Sequence, residues 1–177
     1  MSERFRLVAA RVRQEIQDLY PVVDKCQRAM RTAKLATRDQ DLYLDSAALN
    51  LHDFYSGVER ILLHIAGAFD RVVPTGNHWH QELLLQMRTD AKGLRPAVLS
   101  EESLECLKEY LAFRHVVRNV YTFKFDLDRI DRLVDKLPAC FELLTKQLNA
   151  FAEQLEAISR PISDLPPTSE KRLRRVN

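Results

Sequence analysis

Between residues 44 and 65 apolar side chains recur every three or four positions: Leu44, Ala47, Ala48, Leu51, Phe54, Tyr55, Val58, Ile61, Leu62 and Ile65. On a helix, at about 100° per residue, they make one long, wide stripe. Such a stripe has to be covered along its length, so the rest of the chain must supply partner helices. It is composed to do so. Only four glycines occur in 177 residues, at 57, 67, 76 and 93. The long stretches between them are rich in Leu, Ala, Glu, Gln, Arg and Lys, which favour helix. No run of alternating β-branched residues argues for a sheet. The expected class is all-α, an antiparallel bundle of four to five helices.

The helices can be placed. The first is expected over about 2–36, with Phe5, Val8, Ala9, Val12, Ile16 and Leu19 on one face, a kink near Pro21, and Val22, Val23, Cys26, Ala29, Met30 and Ala33 beyond it. Asp39 caps the second, over about 40–70. After Pro74-Thr75-Gly76, Asn77 caps a short third helix over about 78–91, anchored by Trp79. Ser100 caps a fourth over about 101–121, with Glu101 and Glu102 suited to its dipole. Asp126 caps the last, over about 127–158, which Pro138 should kink or split. Residues 1–159 thus form one helical domain. Residues 160–177, with Pro161, Pro166, Pro167 and a basic terminus, form a tail too poor in apolar residues to pack alone and expected to be flexible.

Composition narrows the chemistry. Net charge is only +2, but residues 1–38 carry nine Lys/Arg against four acids, and residues 160–177 carry five against two. Basic ends suit RNA, and equally suit an acidic partner protein. Three cysteines, at 26, 106 and 140, have no short spacing. That speaks against a disulfide framework and a zinc site, and for small core residues in a reducing, cytoplasmic compartment. No apolar run approaches the roughly 20 residues of a membrane span, so no membrane is expected. His78 and His80, two apart on a helix, diverge and make a poor chelate. No metal and no cofactor are expected, and there is no glycine-rich phosphate cradle. His52 and His64 read as satisfied or half-exposed, and Glu59-Arg60 as surface or as a pair to neighbouring helices.

The segment Phe113-Arg114-His115-Val116-Val117-Arg118-Asn119-Val120-Tyr121 concentrates reactive side chains as no other does. On a helix, Phe113, Val116, Val117 and Val120 crowd one side, and Arg114, His115, Arg118, Asn119 and Tyr121 share the other. Leu107 and Leu111 fall on the same face as Arg114 and Arg118. That places the polar cluster against another helix or another subunit, at the bottom of a groove. The ordinary alternative is an amphipathic helix whose arginines pair with acids elsewhere.

This segment resembles the signature of HEPN domains, in particular the HepT-like ribonuclease toxins of prokaryotic toxin–antitoxin pairs. The signature runs Arg, a polar residue, three variable residues, His, one variable residue, Tyr, on a late helix of an all-helical domain. Arg114, His115 and Tyr121 match it, Val116, Val117 and Arg118 fill the spacer, and Asn119 stands where the family usually has His. The helical layout over roughly 1–158 is HEPN-like too. The resemblance implies a homodimer with a cleft between protomers, metal-independent endoribonuclease activity, and an MNT-type nucleotidyltransferase antitoxin that transfers AMP to the signature Tyr, here Tyr121.

The resemblance and the chemistry together assign roles. Metal-free RNA cleavage needs a base for the 2′-hydroxyl proton, an acid for the leaving 5′-oxygen and a cation for the phosphate. Histidine suits the first two and arginine the third. Asn119 cannot carry a proton in this pH range. The assignment is Arg114 on the phosphate, His115 for proton transfer, Asn119 orienting and Arg118 assisting RNA binding. The alternative is a non-catalytic HEPN module that binds RNA or a nucleotidyltransferase partner; the remaining one is a structural helical protein.

Overall fold

The structure is a computed structural model and describes residues 2–70, 72–119 and 125–159, with the side chains of Ser2, Arg118 and Asn119 outside that description. Five helices make up the fold: α1 Ser2–Leu35, α2 Gln40–Phe69, α3 Trp79–Arg88, α4 Glu101–Asn119 and α5 Leu127–Ile158. No strand occurs among the described residues; a single bridge joins Ala91 to Arg95. The all-α expectation holds, and the helix bounds fall within a few residues of those expected. The tail, 160–177, lies outside the described residues.

Helix α2 is the spine. Its apolar stripe is buried from Leu44 to Phe69. Antiparallel α1 covers one side of it, as the contacts Gln40 to Ala33 and Arg60 to Glu15 at opposite ends require. Helix α5 runs back along α1, tied by Arg13 to Glu156 and by Lys34 to Asp131. Phe54 sits at the centre, edge-on to Tyr110 of α4 at 5.2 Å and to Phe141 of α5 at 6.0 Å. Burying one such ring is worth about 1.5–3 kcal/mol. Gly57 lets α1 approach: a Cβ there would stand 2.6 Å from Leu19 Cδ2.

Three local expectations need correction. Helices α1 and α5 run unbroken through Pro21 and Pro138, so α5 is not split. Both prolines face solvent, where water can satisfy the carbonyls they leave without a donor. Ser100 and Asp126 cap α4 and α5 through Ser103 N at 3.2 Å and Asp128 N at 3.0 Å, but α3 starts after His78 rather than Asn77, and Asp39 adopts a left-handed φ of 57° with no side-chain cap. The cysteines do not all stay free. Cys106 of α4 and Cys140 of α5 form a disulfide with Cα atoms 6.2 Å apart, leaving buried Cys26 as the free thiol. The 34-residue separation closes because α4 and α5 pack antiparallel, as Lys136 to Glu109 and Gln147 to Ser100 also require.

Arg95 fastens the long α3–α4 connection. Its Nε and Nη2 grip both oxygens of Asp70 at 2.7 and 2.6 Å, and its remaining donors reach the carbonyls of Gln86, Thr89 and Pro96. The clamp sets α3 against the end of α2, and α4 follows from there.

Candidate functional site

Arg114 does not lie on an open polar face. It is buried together with Phe113, Leu107 and Leu111, in the crossing of α4 with α2 and α3. Leu107 and Leu111 do share its face, but that face meets the chain's own helices. The two leucines therefore carry no argument for a second subunit.

What Arg114 meets there is a buried polar chain of three. Its Nη1 donates to His80 Nε2 at 3.0 Å, and its Nη2 lies 3.7 Å from Glu59 Oε2. His80 Nδ1 bonds Glu59 Oε1 in turn. The partners fix the imidazole's state: Nε2 must be the acceptor, so the ring proton sits on Nδ1 and goes to the carboxylate. A second proton would set an N–H against the guanidinium. Burial holds the His80 pKa below the ordinary value, outweighing the Glu59 hydrogen bond, which acts the other way. Trp79 covers the imidazole, ring centroids 3.7 Å apart. Tyr55 adds a buried phenol pushed well above its usual range by burial and then by the Glu59 charge; its hydroxyl has no hydrogen bond of proper geometry.

The guanidinium is not fully used. Arg114 Nε is buried without an acceptor. The side chain as a whole is 10% exposed. His115, one residue on, is exposed, its ring 5.9 Å from that of His80 and nearly perpendicular to it. It borders a groove of about 430 Å3 between α3 and α4, with Gln81 and Lys108 on the rim and Leu84, Leu85, Leu104 and Leu111 among its apolar lining. The arrangement sets a buried guanidinium, fixed by His80 and Glu59, next in the chain to a solvent-facing imidazole.

Of the residues assigned from sequence, the structure buries Arg114 against α2 and α3 and leaves His115 exposed. Arg118 and Asn119 extend the same helix, though their side chains lie outside the described part, and Tyr121 lies outside the described residues. Glu59 and His80 were missed as site residues. Glu59 had a visible signal: four residues after Tyr55 and three before Leu62, it is an acid inside the apolar stripe, where carboxylates are rare unless paired. His80 had none, because only the turn of chain between α2 and α3 brings it back onto Glu59.

Among the described residues no group of three His, Cys, Asp or Glu side chains is placed to hold a metal ion, and no helix is long and apolar enough to cross a membrane. Neither the curated proteins nor the solved structures compared gave a significant match. A family profile described as HepT-like protein matches residues 46–155, from the second turn of α2 to the last turn of α5. That span contains the whole Glu59–His80–Arg114 chain and the signature segment, and by this match the chain belongs to the HepT-like family.

Proposed function

We propose that the chain is a HEPN-type, metal-independent endoribonuclease, the toxin of a toxin–antitoxin pair acting on RNA. The observation that supports this best is the signature Arg114, held by His80 and Glu59, followed directly by an exposed imidazole within a HepT-like family match. In this reading Arg114 binds the phosphate and stabilises the charge that grows on it. His115 takes the 2′-hydroxyl proton. The 2′-oxygen attacks phosphorus, the bond to the 5′-oxygen breaks, and an imidazolium returns the proton to the leaving oxygen. The products are a 2′,3′-cyclic phosphate and a 5′-hydroxyl. Glu59 and His80 position Arg114 and touch no substrate. Asn119 orients the nucleotide and Arg118 meets the RNA backbone. Because Asn119 has no proton to give, the base and acid roles fall to His115 from two copies of the chain in a homodimer. Tyr121 is the residue a nucleotidyltransferase antitoxin would adenylylate, blocking the groove with bulk and charge.

The second reading is a non-catalytic HepT-like module that binds RNA or a nucleotidyltransferase. Two observations favour it: Asn119 in place of the signature His, and an Arg114 already engaged by His80 and Glu59. Incubating the purified chain with RNA in EDTA separates the two. Cleavage that leaves cyclic phosphate ends and disappears in Arg114→Ala supports the nuclease. RNA binding without cleavage supports the module.

A further inference from the structure

Where α1 turns into α2, Arg28, Arg31 and Arg38 line an open groove of about 770 Å3 with Tyr43, Leu35 and Thr32. None of the side chains lining it is acidic. Arg28 is tied to Asp24 at 2.9 Å, one helical turn back, whereas Arg31 and Arg38 have no ion pair among the described residues. Tyr43 is 39% exposed and Leu35 84% exposed, both large for side chains beside a core. Among the described residues no helix covers them. The groove belongs to different elements from the Arg114 site, which is built on α3, α4 and the later part of α2.

We infer that this groove is a binding site for single-stranded nucleic acid, in which Arg31 and Arg38 meet successive phosphates and a base stacks on Tyr43 and Leu35. The chemistry of the lining selects that ligand. Unpaired arginines ask for a polyanion, and an exposed ring with an adjacent aliphatic surface asks for a flat apolar group carried on it. A single strand offers both, while a duplex hides its bases and an acidic peptide has none. That the strand is RNA rests on the function proposed above; the fit to a single strand does not.

The test is fluorescence anisotropy with a labelled 2′-O-methyl oligoribonucleotide, which lacks the attacking hydroxyl and cannot be cut. Binding therefore reads the groove whether or not the chain is a nuclease; tight groove binding by a chain that never cleaves RNA would sink the nuclease and leave this site standing. Arg31→Ala/Arg38→Ala should lower the slope of log affinity against log salt by about 1.4, two contacts at about 0.7 each. Tyr43→Ala should weaken single-strand binding by about tenfold, and Tyr43→Phe should restore it. All three positions are exposed, so the variants keep the fold, which circular dichroism checks. An unchanged salt slope in the double arginine variant would overturn the proposal. So would a Tyr43→Ala variant that binds as tightly as the parent, or a polyglutamate probe that outcompetes the oligonucleotide and points to an acidic protein partner.

Discussion

Arg95 and Arg114 are both buried arginines, and the difference between them lies in their unused donors. Every nitrogen of Arg95 has an acceptor, whereas Arg114 Nε has none. Arg95 is therefore a fastener. Arg95→Ala leaves the buried Asp70 carboxylate with no counter-charge and only the Gln86 amide as a side-chain donor, and should cost about 3–5 kcal/mol in urea denaturation. His80 offers a prediction with a sign. Its pKa in the fold lies below the ordinary 6.5, because burial favours the neutral ring. The stability gained by keeping it neutral is complete above about pH 6.5, and is lost as pH falls through the lower folded value. Denaturation midpoints of the parent should drop between about pH 7 and about pH 5 by more than those of His80→Gln. An equal drop in both would remove His80 from the account. At this scale the sequence was informative for Arg114 and His115, which a one-dimensional motif marks. It was silent on His80, whose partner lies 21 residues away on another helix.

The elements themselves were the most legible part. Periodicity and capping chemistry located all five helices, because a stripe and a cap are local. Ser100 and Asp126 cap as their types require; α2 starts at Gln40 as expected though Asp39 makes no side-chain cap, and only the start of α3 is misplaced, in a loop where turn geometry outweighs the side chain. The disulfide was not legible, since Cys106 and Cys140 have no informative spacing until α4 lies antiparallel to α5. Two measurements follow. Unfolded without reductant, the purified chain should titrate one thiol, that of Cys26, whose pKa burial pushes up to about 12 in the fold; after reduction it should titrate three. Reduction should also lower stability by about 2–4 kcal/mol. Three thiols without reductant would mean that α4 and α5 are held by packing alone.

Across the whole molecule, a buried Glu59–His80–Arg114 chain holds a guanidinium one residue before exposed His115, which borders a groove between α3 and α4. The motif and family were readable from the chain; the support behind the motif was not, because it is made of residues from three helices. The proposed division of labour between two copies of His115 requires a dimer. Light scattering on the purified chain should give twice the 20.6 kDa of one chain, and a strict monomer would leave the leaving oxygen without a proton donor. The most direct measurement uses His115, because it is exposed and its removal spares the buried network. In EDTA, the parent should cleave RNA, and a folded His115→Ala should do so at least about a hundredfold more slowly. A His115→Ala variant that cuts as fast as the parent would contradict the account.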